Sequence, residues 1–270
     1  MDKPMPLIAH ISDLHFPCTP QPLQDALRRA LRDASPTLVA VSGDLTQRAR
    51  KAQFVQAQQF LKSLPHPILV IPGNHDVPLY DLFRRFFLKS ARFQNYICAD
   101  PTPIYHDHSL CVVGVDSTRA FTLDPYGFWK NGSLSAAQLQ LMKEKFKLAE
   151  AGALKVLVMH HPLVNPWNAG SRDTVRGRMR IINTLEQIGV ELVLSGHLHM
   201  AYKDHAPIFA IAQDHKILCI QAGTTTSTRL RHEANAFNLL DWNGTRLVVT
   251  VMRYNGADFV RESSSDYVLR

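Results

Sequence analysis

The chain has 270 residues, 46% hydrophobic and 20% charged, long enough to bury roughly three quarters of its unfolded surface without disulfide support. No run approaches the ~18 apolar residues of a membrane span, and Met1-Asp2-Lys3-Pro4-Met5-Pro6 leads into too short an apolar stretch for a secretory signal, so neither is expected. The formal charge of +7 favours anionic partners, but basic residues fall in twos and threes rather than in a stripe, which argues against long nucleic acid.

In chain order, Leu7 to Ile11 reads as a strand, and Leu23, Leu27 and Leu31 recur at i, i+4, i+8 as one helix face. A strand at Leu38 to Val41, a helix face of Phe54, Ala57, Phe60, Leu61 and Leu64, and a strand at Ile68 to Ile71 follow. Strand and helix alternating without hairpin turns implies parallel pairing through right-handed crossovers. A helix from Leu79 to Lys89, a strand from Leu110 to Val115, a helix over Ser135 to Ala149, a strand at Val156 to Met159, a helix from Val175 to Ile188 and a strand at Leu192 to Leu194 continue the pattern. Beyond His199 come closely spaced strand-like runs at Ile208 to Ile211, Ile217 to Ile220, Phe237 to Leu240 and Leu247 to Val251, with a turn at Asn243-Gly244. We expect one domain over 1–270, with a motif-bearing α/β half to about residue 200 and a mostly β half from 201 to 270 completing it.

Each parallel strand is followed by a polar cluster: Asp13-Leu14-His15, Gly43-Asp44-Leu45, Gly73-Asn74-His75-Asp76, His160-His161 and Gly196-His197-Leu198-His199. In α/β sheets the carboxyl ends of parallel strands share one edge, so these clusters converge. Carboxylate, amide oxygen and imidazole without thiolate suit Mn²⁺, Fe or Zn²⁺, and there are enough ligands for two ions. In Asp13-x-His15 and His197-x-His199, residues i and i+2 of an extended segment point the same way and grip one pocket. The glycines permit tight turns that place these side chains. Four scattered cysteines with no Cys-x-x-Cys pair exclude a zinc knuckle and point to a reducing cytoplasm.

Asp-x-His, Gly-Asp, Gly-Asn-His-Asp, a strand-terminal His and Gly-His-x-His, in this order, resemble the calcineurin-like metallophosphoesterase signature, over Asp13 to His199. The resemblance implies an α/β fold, a four-layer αββα sandwich with two mixed β-sheets. It implies that Asp13, His15, Asp44 and His199 hold one metal and that Asn74, His160 and His197 hold the other, with Asp44 bridging. His160 rather than His161 is the ligand because it lies nearer the strand. His75 resembles the family's non-ligand catalytic histidine, oriented by Asp76. The reaction implied is hydrolysis at two ions about 3.5–4 Å apart, by in-line attack of a metal-bridging hydroxide.

The short single-domain pattern is similar to class III cyclic-nucleotide phosphodiesterases, which implies a small phosphodiester substrate. Alternatives are a UDP-diacylglucosamine-type pyrophosphohydrolase, for whose helical cap the 36 residues between His160 and His197 leave little room, a DNA exonuclease, and a degenerate phosphoesterase-fold scaffold or anion-binding protein. Arg172, Arg176 and Arg180 at i, i+4, i+8 form either a phosphate-binding helical face or a solvated one. Arg229 sits in a polar stretch, Gly223 to Arg231, that either lines the phosphate site or joins two strands. His161 either contacts substrate or packs, and His10 is a strand residue whose ring finds a backbone partner. Phe83, Phe86 and Phe87 are expected in the core, the alternative being a lip against a base or an acyl chain. Oligomeric state is left open, a homodimer included.

Overall fold

The computed structural model describes residues 5–79, 81–120, 131–164, 174–198, 208–210, 217–228 and 234–269. Strands β1 (Leu7–Ile11), β2 (Leu38–Val41) and β3 (Ile68–Val70) are parallel; β10 (Ala236–Trp242), β11 (Arg246–Tyr254) and β12 (Phe259–Val268) extend the same sheet antiparallel, in the order β12-β11-β10-β1-β2-β3. In the second sheet β5 (Leu110–Val115), β6 (Leu154–Met159), β7 (Leu192–Ser195) and β9 (Leu218–Gln221) are parallel, edged by antiparallel β4 (Ile104–His106) and β8 (Ile208–Ala210).

Strand alternation builds the layers. In β2, Leu38 and Ala40 face the space between the sheets, whereas Val39 and Val41 face outward. In β6, Val156 and Val158 point inward while Leu157 and Met159 point outward. The outer face of the first sheet is covered by α1 (Gln21–Ala34), through Leu23, Leu27 and Leu31, and by α2 (Lys51–Lys62), through Phe54, Ala57, Phe60 and Leu61. Helices α5 (Ala136–Phe146) and α6 (Arg178–Gln187) cover the second with Leu139, Met142, Phe146, Ile181, Ile182 and Leu185. The result is an αββα sandwich with two mixed sheets. The start of α5 is fixed by a capping box, in which Gln138 N donates to Ser135 Oγ at 3.2 Å and Ser135 N to Gln138 Oε1 at 3.0 Å.

The C-terminal strands are shared between the two sheets, β8 and β9 in the second and β10 to β12 in the first. Other expectations need correction. The helix expected from Leu79 to Lys89 is the shorter α3 (Leu82–Phe87), and a separate helix that was not expected, α4 (Ala91–Tyr96), follows it. Phe83, Phe86 and Phe87 on α3 are not core; they are 67%, 45% and 74% exposed. Arg176 precedes α6, separated from it by Gly177 at φ +69°, so Arg176 and Arg180 do not share a helix face. The described residues include no helix long and apolar enough to cross a membrane.

Candidate metal centre

Parallel pairing carries the ends of β1, β2, β3, β6 and β7 to one edge of the sandwich, and the polar clusters meet there. Asp13, His15, Asp44 and His160 are buried at 0% exposure in a protein whose ordinary carboxylates lie at the surface. Donor atoms of Asp13, Asp44 and His160 lie within 4.8 Å of one another, as do those of His15, Asp44 and His75. Asp44 belongs to both groups. Its Oδ1 lies 3.4 Å from His160 Nε2, and its Oδ2 3.7 Å from His15 Nε2. Asn74 Oδ1 lies 3.1 Å from His160 Nε2 and 2.9 Å from His197 Nδ1. His199, Arg172 and Arg229 lie outside the described residues.

The backbone does not deliver these side chains from extended segments. Asp13, His15, Asp44 and His197 have φ of +55°, +53°, +53° and +78°, left-handed conformations that cost a non-glycine residue about 1–3 kcal/mol and cluster at functional sites. The expectation that Asp13 and His15 point together because they alternate along a strand is therefore replaced: two left-handed turns aim them. Gly43 does occupy a left-handed turn, at φ +96°. Gly73 is needed for a different reason, since a Cβ there would stand 2.8 Å from Asp44 Cγ and closer still to its Oδ1 and backbone N.

Surrounding groups fix the imidazoles. His160 Nδ1 donates to Ser42 O at 2.7 Å, which directs Nε2 at Asp44 and Asn74. His75 Nδ1 donates to Gln47 O at 3.0 Å. Ser12 Oγ donates to Asp13 Oδ2 at 2.6 Å, and the main-chain N–H of His197 donates to the same oxygen at 3.2 Å, tying β1 to β7. Ser12 is itself clamped to Thr225 by paired hydrogen bonds of 3.0 Å. Sequence reading missed Ser12, Ser42, Gln47 and Thr225, all of which act wholly or partly through main-chain atoms that no side-chain motif records.

Asp76 does not orient His75 in the way expected. Its carboxylate accepts from the N–H groups of Gly73 at 2.9 Å, Leu45 at 3.1 Å and Thr46 at 2.8 Å, and from Thr46 Oγ1 at 2.9 Å. It braces the Asp44 loop against the Asn74 loop. His161 is buried, its Nδ1 2.8 Å from Ser117 Oγ and its ring centroid 4.8 Å from that of His197. His10 finds the Ser42 hydroxyl at 2.9 Å rather than a backbone partner. His66, His106 and His108 are exposed and away from these contacts.

Burial works against charge on Asp44, but His160, His75 and His15 outweigh it and hold the carboxyl well below the usual carboxylate range. Burial likewise opposes protonation of His160, yet the Asp44 carboxylate lifts it to about 9. Burial and the charge of Asp44 raise Asp76 to about 6 against three backbone N–H donors. Asp44 Oδ2 is buried and accepts no hydrogen bond from the described residues. A desolvated anionic oxygen with the imidazole nitrogen of His15 3.7 Å away, beyond hydrogen-bond range, is the environment a divalent cation fits, with carboxylate, amide and imidazole as its donors.

This fold and site define a metal-dependent phosphoesterase. A sequence profile described as calcineurin-like phosphoesterase matches residues 6–201, and the chain belongs to that family. It is 26% identical over 209 residues to a probable cyclic nucleotide phosphodiesterase from a Synechococcus strain, covering 72% of this chain and 74% of that one. It is 29% identical over 168 residues to the 3′,5′-cyclic adenosine monophosphate phosphodiesterase CpdA of Haemophilus influenzae, covering 60% of this chain and 54% of that one. Among solved structures, the purple acid phosphatase PPD1 of yellow lupin superposes with a TM-score of 0.68 at 10% identity, over 99% of this chain and 54% of its own, a likeness of fold.

Proposed function

We propose that the protein hydrolyses small phosphodiesters, cyclic nucleotides among them, at a pair of divalent transition ions, Mn, Fe or Zn. Asp13, His15, Asp44 and His199 hold one ion, and Asn74, His160, His197 and the shared Asp44 the other. The observation that carries this reading is the membership of Asp44 in both donor groups. The two cyclic nucleotide phosphodiesterases that the chain is similar to support the substrate class. The reading treats 1–270 as one domain, because strands from both ends of the chain share the first sheet. Four free thiols suit a reducing cytoplasm.

Bound ions of this kind supply water activation at neutral pH and neutralisation of phosphoryl charge. The protein's own groups supply the rest. Ser42 O holds the proton of His160 on Nδ1 and leaves Nε2 to the centre. Gln47 O does the same for His75, whose Nε2 then carries a proton to the leaving oxygen, a contribution typically worth ~10²–10⁴ in rate. Asp76 keeps the Asp44 and Asn74 loops in register while this happens.

The test is a substrate panel with Mn²⁺-loaded protein: bis-p-nitrophenyl phosphate, p-nitrophenyl phosphate, cyclic AMP, cyclic GMP, UDP-diacylglucosamine and linear DNA. The diester is cleaved faster than the monoester, cyclic nucleotides are turned over, and Asn74→Ala removes most of the rate. Cleavage of UDP-diacylglucosamine alone would select the pyrophosphohydrolase reading, which the exposed Phe83, Phe86 and Phe87 favour. Salt-sensitive degradation of DNA from its ends would select the nuclease.

A further inference from the structure

Helix α3 reverses the arrangement usual for a surface helix, whose apolar stripe faces the core. Its basic side chains tie it to the protein. Arg85 is buried and donates to the carbonyls of Ala120 at 2.6 Å, Pro78 at 2.9 Å and Arg119 at 3.5 Å. Just past the helix, Lys89 Nζ meets Asp116 Oδ2 at 3.0 Å and donates to Thr118 O at 2.8 Å. Asp81 caps the other end, its carboxylate accepting from Arg84 N at 3.0 Å.

The apolar side chains are left to the solvent. Positions 82, 83, 86 and 87 make one arc of the helix, opposite Arg85. Leu82 is 61% exposed and Leu88, at the helix end, 47%, beside the exposed phenylalanines described above. The ring centroids of Phe83 and Phe87 lie 5.2 Å apart. Other exposed large apolar side chains, such as Leu141, Met179 and Val268, are scattered over separate elements. A contiguous exposed apolar group of this kind marks an interaction surface.

The surrounding charge selects the partner. Residues 45–99 carry eight Lys and Arg against two acids, Asp81 and the buried Asp76, so most of the formal net charge of +7 resides in this stretch. Arg92 of α4, four residues past Leu88, donates to Ala49 O at 2.6 Å. That bond sets α4 beside Arg50 and Lys51, which are exposed at the start of α2 and form no ion pair with the described residues. An anionic lipid surface offers an apolar layer directly beneath a negatively charged one. Exposed phenylalanine and leucine flanked by basic residues complement that pair of layers.

We propose that α3 and the basic start of α2 dock the protein on an anionic lipid bilayer, with Leu82, Phe83 and Phe87 entering the headgroup boundary and Arg50 and Lys51 lying against the headgroups. A six-residue helix buries little area, so the attachment is reversible and depends on charge. The proposal goes beyond the hydrolase reading and does not depend on it.

The experiment is co-sedimentation of Mn²⁺-loaded protein, freed of excess metal, with vesicles of phosphatidylcholine alone or containing about one third phosphatidylglycerol. Wild-type protein partitions onto the anionic vesicles about tenfold or more above the neutral ones, and ~0.5 M salt removes most of the difference. The double variant Phe83→Gln/Phe87→Gln keeps helix propensity and a near wild-type Tm, and binds the anionic vesicles about tenfold or more weakly. Arg50→Gln/Lys51→Gln lowers binding severalfold and flattens its salt dependence. Wild-type protein that stays in the supernatant with both vesicles, or binding that survives the loss of both rings, would overturn the proposal. A wild-type dimer that ignores vesicles and that the double phenylalanine variant splits into monomers, read by light scattering, would overturn it too and give the face to a second copy of the chain.

Discussion

Replacing Gly73 with alanine tests whether the placement of Asp44 governs the site. Gly73 has φ −106° and ψ −179°, an extended conformation open to any residue, so no backbone strain enters. The added Cβ would stand 2.8 Å from Asp44 Cγ and closer still to Asp44 Oδ1 and main-chain N, where ordinary contact begins at 3.4 Å, so more than about 0.6 Å must be found. The main chain around Asp44 has little to give, because Leu45 N and Thr46 N are held by Asp76, and Asp44 O accepts from His15 N at 2.9 Å. The carboxylate has to turn away, and the Asp44 main chain has to part from Gly73 against those hydrogen bonds. A misplacement of about 1 Å costs ~10²-fold in rate, so we expect a ~10–100-fold loss of kcat/KM on bis-p-nitrophenyl phosphate, about 1.4–2.8 kcal/mol of transition-state stabilisation. Overpacking should cost the fold about 1–3 kcal/mol. Elemental analysis after Mn²⁺ loading should show less than the wild-type metal content. Gly244→Ala is the control: at φ +95° with nothing within 4 Å of its Cβ, it costs stability but keeps metal and rate. A Gly73→Ala protein with a full metal complement and wild-type kcat/KM would refute the reasoning.

Further outcomes follow from the same geometry. His10 is buried beside Ser42, and burial lowers its pKa from 6.5 to about 3 despite the nearby Asp13 charge. The unfolded chain takes up that proton below pH ~6.5 and the folded one does not until about pH 3, so stability falls as the solution is acidified between these values. Between pH 7 and pH 5 this amounts to about 2 kcal/mol; urea unfolding of metal-free His10→Gln should show a pH slope flatter by that amount, and an unchanged slope would contradict it. Asp76→Ala strands three buried main-chain donors and should destabilise the protein by at least about 3 kcal/mol, read by chemical denaturation; a variant that loses activity with its stability intact would point back to a direct catalytic role. Metal at about 100 times its dissociation constant adds about 2.7 kcal/mol for each site, so Mn²⁺ should raise Tm by several degrees and a chelator should reverse the rise. A melting curve insensitive to both would count against a cation at Asp44.

Most of the architecture could be read from periodicity, because the parallel strands are short and apolar on both faces, and β1, β2, β5 and β6 are each followed by a helix with a single buried stripe. The elements that escaped are those without that contrast. β12, Phe-Val-Arg-Glu-Ser-Ser-Ser-Asp-Tyr-Val, is an exposed edge strand whose pairing with β11 owes nothing to an apolar pattern. β4 is a three-residue edge strand. At the site, ligand types at strand ends were legible because sheet topology alone brings them together. The aim of each side chain was not, since it depends on left-handed turns at Asp13, His15, Asp44 and His197. The role of Asp76 was misread for a related reason: its partners are N–H groups from a loop about thirty residues earlier, and proximity to His75 in sequence says nothing about them.

The register of β1 has a bearing on biosynthesis. Leu7 pairs with Asp241 and His10 with Asn238, so the strand leading into Asp13 and His15 stays a bare edge until residues more than two hundred positions later leave the ribosome. At ~5–20 residues per second, a bacterial-type ribosome would expose that edge for ten seconds or more. The strand that leads into the first two ligands is thus closed on that side only when β10 has been made and docked.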